Sequence, residues 1–131
     1  MSGRVIAGVI LAMLLFAWWR SGSGTDLVPW RTDLASAKEE ASRTGKPLLV
    51  YFTASWCPPC KEMKRTTLSD EKIVAAMSGV VPIKVDVDSH PVIVQEFMID
   101  SIPTMVLVPA GRRESRKIGY LSVEEIAAWL R

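Results

Sequence analysis

The chain has 131 residues, of which 49% are hydrophobic, with two cysteines, one histidine and a formal net charge of +2. Apart from Arg4 and Arg20, the basic side chains equal the 14 acidic ones in number, so the bulk of the chain lacks the basic surface that nucleic-acid binding requires. The two cysteines stand three positions apart, so a disulfide between them would close too short a loop to stabilise the fold.

The first predicted element is an unbroken apolar run over residues 5–19, with Arg4 before it and Arg20 after it. A membrane-spanning helix needs about 20 apolar residues, whereas the apolar part of a signal peptide has about 7–15. A helix that is apolar on every side also needs more protein around it than a domain of this size supplies. The run therefore predicts contact with a membrane.

One feature of this segment favours an uncleaved membrane anchor, and another favours a cleaved signal peptide. Trp18 and Trp19 are typical of the headgroup region of a bilayer. The small residues 21–24 would admit a signal peptidase and read as a short flexible linker. We expect residues 1–24 to be an uncleaved membrane anchor with its linker, or a cleaved signal. Because the segment has the architecture of a signal, we expect residues 25–131 to lie on the exported, periplasmic side.

Residues 25–131 are predicted to form one domain in which helices alternate with strands. Apolar and β-branched runs indicate strands at residues 48–53, 80–87, 105–108 and 116–118. Capping residues and apolar spacing indicate helices at residues 33–45, 59–67, 69–77, 91–97 and 122–130. The order predicts an α/β fold with a central mixed sheet covered by helices on both faces.

The chemistry is expected at Trp56-Cys57-Pro58-Pro59-Cys60, between a predicted strand and a predicted helix. Unpaired N–H groups at a helix N-terminus favour the thiolate of the first cysteine, and Pro59 fits the first helical turn. We predict that an exposed Cys57 attacks a substrate disulfide and that a shielded Cys60 resolves the mixed disulfide. The pair would then close reversibly as a disulfide.

Two other roles compete for this cysteine pair. It could be half of a zinc site, but zinc needs four ligands and His90 is the only histidine, so the metal would have to bridge two chains. The cysteines could also be inert packing residues, against which their place between strand and helix argues. We expect no metal and no cofactor, because the dithiol itself carries the electrons.

Four stretches of the chain, in this order and spacing, resemble the thioredoxin superfamily: residues 52–61, 84–88, 101–104 and 118–120. Residues 45–47, 60–62 and 67–70 make the chain most similar to the exported C-terminal domain of transmembrane thiol:disulfide interchange reductases. It is also similar to membrane-tethered thioredoxins that reduce apocytochromes. The resemblance implies a thioredoxin fold over residues 25–131.

The resemblance also implies roles for individual residues. Cys57 would be the nucleophile and Cys60 the resolving thiol. Pro103 would be a cis-proline facing the disulfide, and Ile102 would offer its backbone to a bound peptide. Trp56 would shield the site and line the substrate groove. A plain strand entry at Ile102-Pro103, and simple packing of Trp56, are the alternatives.

The chain departs from the family at two positions, Tyr51 and Met98. Many thioredoxins have a buried aspartate where this chain has Tyr51, and Lys84 matches the lysine that pairs with that acid. Without it, Lys84 must reach water or find another partner. We hypothesise that resolution by Cys60 is slower or relies on water. Met98 replaces a family glycine, and it either widens an apolar contact surface or joins the core.

The sequence thus predicts a thiol-disulfide oxidoreductase, in particular a reductase of disulfides in exported proteins. Its partners would be protein disulfides, an upstream thiol electron donor and, through residues 5–19, a membrane. Ile102 resembles the residue of reducing thioredoxins and favours this direction. A disulfide oxidant or isomerase is the alternative enzyme, and a non-catalytic thioredoxin-fold binding module is the alternative of another class.

Overall fold

The computed structural model of the protein describes residues 3–20 and 24–131. The helices are α1 (Gly3–Arg20), α2 (Leu34–Thr44), α3 (Pro58–Thr66), α4 (Lys72–Ala76), α5 (Pro91–Glu96) and α6 (Val123–Leu130). The strands are β1 (Leu48–Thr53), β2 (Val81–Asp86), β3 (Thr104–Val108) and β4 (Ser115–Ile118). After α1, this is the element order that the sequence predicts.

Helix α1 contains the apolar run, and the side chains described over residues 5–16 are exposed. Across the residues that the structure describes, no helix combines the length and the apolar character needed to cross a bilayer. Residues 21–23 of the expected linker and the side chains of Trp18 and Trp19 lie outside the described part. The anchor and the signal segment both stay predictions.

Within the described residues, four strands form one mixed sheet in the order β2-β1-β3-β4. Strand β1 pairs in parallel with β2 and antiparallel with β3, and β3 pairs antiparallel with β4. Parallel pairing needs a long crossover, which α3 and α4 supply between β1 and β2. The closing hairpin β3-β4 turns at Gly111, which has φ 65°.

Two apolar layers cover the sheet because successive side chains of a strand point to opposite faces. On one face, Leu49 and Tyr51 pack with residues of α3, α4 and α6. On the other, Val50 and Phe52 pack with residues of α2 and α5. Strand β1 is therefore buried on both sides, as its continuous apolar run predicts.

Side-chain caps fix the helix ends that flank the sheet. Asp33 caps α2 by accepting a hydrogen bond from the Ser36 N–H at 2.9 Å. The predicted capping box of α6 is present between Ser122 and Glu125. Hydrogen bonds from Ser122, first from its backbone N–H, hold the pKa of Glu125 below its usual value. The helix expected over residues 69–77 is shorter, and α4 begins only at Lys72.

We expect Phe52→Ala to lower the free energy of unfolding by about 3–5 kcal/mol, because a fully buried ring leaves a cavity that its neighbours fill only in part. Its ring centroid lies 5.5 Å from that of Phe97, so the aromatic contact is lost as well. Urea unfolding of the full chain, followed by circular dichroism, measures the change. The control is Val92→Ala at an exposed position. Equal losses in the two variants would contradict this reading of the core.

Candidate active site

The cysteine pair lies where strand β1 gives way to helix α3. Cys57 is the N-cap of α3, and Pro58 and Pro59 occupy the first two helical positions. A proline there sacrifices no intrahelical hydrogen bond, since the first N–H groups of a helix have no partner within it. The two Cα atoms are 5.2 Å apart, and the sulfurs form a disulfide. The sequence spacing therefore does bring both sulfurs to one point of the fold.

The Cys57 sulfur has two polar neighbours. The Cys60 backbone N–H donates a hydrogen bond to it, with 3.3 Å between nitrogen and Sγ. The Ile102 carbonyl oxygen lies 3.9 Å from the same sulfur. A sulfur at this end of a helix also lies in the positive field of the helix dipole. When the disulfide is reduced, both the N–H and the dipole favour the Cys57 thiolate over the thiol.

Burial does not distinguish the two cysteines in the way the sequence suggests. Cys57 is 2% exposed and Cys60 is 3% exposed. The prediction of an exposed Cys57 is therefore wrong for the disulfide form. The cause is local packing, because Ala54, Val87 and Ile102 close around the pair.

Trp56 is 60% exposed and stands beside the disulfide. Its indole Nε1–H donates a hydrogen bond to Asp88 Oδ2 at 2.7 Å. Asp88 belongs to the acidic turn after β2, where Asp86 Oδ1 accepts the Asp88 N–H. The sequence indicates no role for Asp88, because nothing local links it to a tryptophan 32 residues away.

A groove of about 180 Å³ begins at Trp56 and runs past the loop before β3. The Ile102–Pro103 peptide in that loop is cis, as the resemblance implies. Two hydrogen bonds fix the loop: the Thr104 hydroxyl donates to the Ser101 carbonyl at 2.7 Å, and the Gly119 N–H donates to the Pro103 carbonyl at 2.8 Å. The groove side chains are largely apolar: Trp56, Val87, Val94, Ile99 and Ile102, with Asp100 and Ser101.

Met98 lies at the surface, with its side chain exposed. This favours the contact-surface interpretation over the core interpretation. Its φ of 52° falls in the left-handed region, which glycine enters without strain and other residues seldom adopt. The preference for glycine at this position therefore has a backbone cause.

Lys84 and Tyr51 lie on the opposite side of the disulfide from the groove. Lys84 pairs with an acid other than the family's aspartate. Its Nζ forms an ion pair with Asp26 Oδ2 at 2.8 Å. The sequence indicates no role for Asp26, since a lone carboxylate next to a linker forms no motif. Tyr51 is fully buried with its ring stacked on that of Trp30 at 5.2 Å. Burial raises the pKa of the Tyr51 phenol, and the charge of Asp26 raises it further.

Metal ligation is not built into the described part of the chain, where no three histidine, cysteine or carboxylate side chains are placed to hold an ion. His90 caps α5 without a side-chain hydrogen bond to the helix, and its Nδ1 lies 3.2 Å from the Asp86 carbonyl oxygen.

Residues 29–110, more than half of the chain, match the family described as thioredoxin-like. The chain belongs to this thioredoxin-like family. It is 37% identical over 92 residues to the thioredoxin of Alicyclobacillus acidocaldarius subsp. acidocaldarius. This match covers 70% of this chain and 86% of that protein. It is 31% identical over 93 residues to the thiol:disulfide interchange protein DsbD of Campylobacter jejuni (strain RM1221). This match covers 68% of this chain and 16% of DsbD.

The fold of this thioredoxin-like chain also matches the crystal structure of the Neisseria meningitidis DsbD C-terminal domain in the reduced form. The TM-score is 0.63 at 22% identity, over 73% of this chain and 89% of that one. Together with the Cys57–Cys60 disulfide, membership of the family makes the chain a thiol-disulfide oxidoreductase. The non-catalytic binding module is therefore set aside.

We expect Asp88→Asn to lower kcat/KM for a protein disulfide about two- to fivefold, because an indole that loses a charged acceptor is held less firmly beside the groove. The rate with a small aromatic disulfide, which needs no groove, should be unchanged. Asp100→Asn is the matched control, since it removes a groove carboxylate that does not bind Trp56. A similar loss in both variants would mean that groove charge matters and the Trp56 contact does not.

Proposed function

We propose that the chain is a reductase of disulfides in exported proteins. The observation that carries this proposal is the position of Cys57 at the first turn of α3, with the Cys60 N–H donating to its sulfur. This arrangement favours a nucleophilic thiolate at Cys57 and leaves the second sulfur directly behind it. The groove past Trp56 and Ile102 offers an extended peptide an apolar surface next to that sulfur.

The reaction needs only the two cysteines of the reduced chain. The Cys57 thiolate attacks one sulfur of a substrate disulfide, forms a mixed disulfide with it and releases the other sulfur as a thiolate. The Cys60 thiol then loses its proton and attacks Cys57 Sγ. The Cys57–Cys60 bond forms, and the remaining substrate sulfur leaves as a thiolate. Two electrons have passed from the dithiol to the substrate, and an upstream thiol donor must restore them.

One observation supports the reducing direction. Ile102 stands directly before Pro103, as in the reducing thioredoxins that the chain resembles. The oxidant or isomerase alternative uses the same two sulfurs, and only the reduction potential separates the two directions. An exported location is proposed from the apolar residues 5–19 alone.

We expect the reduced full-length chain to reduce insulin in the presence of a dithiol donor, and Cys57→Ser to abolish this reaction because it removes the attacking sulfur. Cys60→Ser should instead accumulate a mixed disulfide with the substrate, visible by mass spectrometry, since nothing resolves it. Equal insulin reduction by the wild type and Cys57→Ser would contradict the proposed roles.

The reduction potential of the Cys57–Cys60 pair should lie nearer that of thioredoxin, about −270 mV, than that of a strong oxidant such as DsbA, about −120 mV. Equilibration of the full chain with glutathione buffers, followed by alkylation of free thiols, measures it. A potential near the upper value would reverse the proposed direction and leave the thiol-disulfide chemistry intact.

A further inference from the structure

A second cleft meets the cysteine pair from the side opposite the substrate groove. It has a volume of about 330 Å³, and Cys60 lines it while Cys57 does not. Sites for small molecules have volumes of about 300–1,000 Å³, so the cleft has the size of a small-molecule site. It therefore offers a small reactant an approach to the inner sulfur that does not cross the substrate groove.

Ammonium groups outnumber carboxylates around this cleft. Lys61, Lys64 and Lys84 line it, together with Asp26 and Asp86. Lys84 is paired with Asp26 at 2.8 Å. Among the described residues, no carboxylate forms an ion pair with Lys61 or Lys64. These two cations are therefore available to an anion that enters the cleft.

The remaining carboxylate of the cleft is engaged with the backbone. Asp86 Oδ1 accepts the N–H groups of Asp88 and Ser89 at 2.9 and 3.2 Å, which holds the turn after β2. The substrate groove has the opposite charge, because the charged side chain that lines it is the carboxylate of Asp100. The two approaches to the disulfide thus differ in sign, and the approach to Cys60 is the one that attracts anions.

The chemistry of the disulfide also favours attack on Cys60. When a thiolate attacks one sulfur of a disulfide, the other sulfur leaves as a thiolate, and a sulfur of lower pKa leaves faster. The Cys60 N–H, 3.3 Å from Cys57 Sγ, and the helix dipole both stabilise the Cys57 thiolate. A nucleophile that reaches Cys60 through the cleft therefore expels the better leaving group.

We propose that this cleft binds a small anionic thiol, which attacks Cys60 and returns electrons to the cysteine pair. The proposal names the class of the upstream donor and so rests on the proposed function. The donor thiolate forms a bond to Cys60 Sγ, the Cys57–Cys60 bond breaks, and Cys57 leaves as a thiolate. A second donor thiolate then attacks the donor sulfur of this mixed disulfide. The donor's own disulfide forms, and Cys60 is released as a thiolate that takes up a proton.

Two donor thiols are thus oxidised to one disulfide while the cysteine pair gains two electrons. Substrate and donor use different sulfurs, since the substrate reacts at Cys57 on the groove side and the donor at Cys60 on the cleft side. A substrate peptide in the groove and a donor in the cleft therefore do not compete for the same contacts.

The first experiment examines each sulfur alone in the full-length chain. Cys57→Ser leaves Cys60, and Cys60→Ser leaves Cys57. Each reduced variant is mixed with the disulfide of 2-mercaptoethanesulfonate, of 2-mercaptoethanol or of cysteamine, which are negative, neutral and positive and similar in size. Exchange of the protein thiol with such a disulfide passes through the same kind of transition state as the proposed attack, in reverse. Mass spectrometry follows the adduct.

We expect Cys60 to react about tenfold faster with the anionic disulfide than with the cationic one, as for a site with a positive field. Cys57 should show no preference for the anion, because it does not line the cleft. The ratio of rates at one sulfur does not depend on the pKa of that sulfur, so a difference between the two ratios reports their surroundings.

The second experiment tests the lysines in the oxidised wild-type pair. The three thiols, compared at equal thiolate concentration, should reduce the disulfide in the same order of preference. A Lys61→Gln/Lys64→Gln double variant should lower the anionic-to-cationic ratio to about twofold or less, and its rate with 2-mercaptoethanol should stay close to that of the wild type. Lys38→Gln/Lys46→Gln is the matched control, since it changes the net charge equally but lines a different cavity.

Three results would each overturn the proposal: no reaction at Cys60, an equal anion preference at both sulfurs, or an equal loss of preference in both double variants. Insulin reduction that is abolished by Cys57→Ser would, in each of these cases, leave the proposed function standing. Anion preference confined to Cys60 and lost only with Lys61 and Lys64 would confirm the donor site.

Discussion

The structure depends on the burial of strand β1 between two layers of helices. Its alternate side chains enter two separate apolar clusters, so the strand cannot slide by one residue without exchanging them. The chain leaves this fixed strand at Thr53 and enters α3 four residues later, at Cys57. The position of both sulfurs is therefore set by the buried strand that precedes them.

The disulfide separates two environments that differ in chemistry. On the Cys57 side lie an apolar groove, a cis-proline loop and a tryptophan held by a carboxylate. On the Cys60 side lies a charged cleft with Asp26 and Lys84. Two buried sulfurs with the same degree of exposure therefore have distinct neighbours. The proposed division of labour between them rests on those neighbours and not on accessibility.

The sequence predicted what local patterns encode. The continuous apolar run over residues 48–53 predicted the bounds of β1, and Ser122 and Glu125 of the capping box predicted the start of α6. The spacing of Cys57 and Cys60 placed the reactive pair. The sequence did not predict the Asp26–Lys84 and Trp56–Asp88 contacts. Their partners are 58 and 32 residues apart in the chain, and no periodicity links them. The burial of Cys57 also depends on distant Val87 and Ile102.

The place of Asp26 in the chain has a consequence for where the folded unit begins. Residue 26 precedes the first position of the family match. The backbone N–H of Leu27 donates a hydrogen bond to the Leu68 carbonyl oxygen, so this short stretch is bound to the domain. A truncation at residue 29 would keep every strand and both cysteines. It would also remove Asp26, which is the ion-pair partner of the Lys84 ammonium and the hydrogen-bond acceptor of the Trp30 indole N–H. The first residue of the family match therefore lies inside the folded unit.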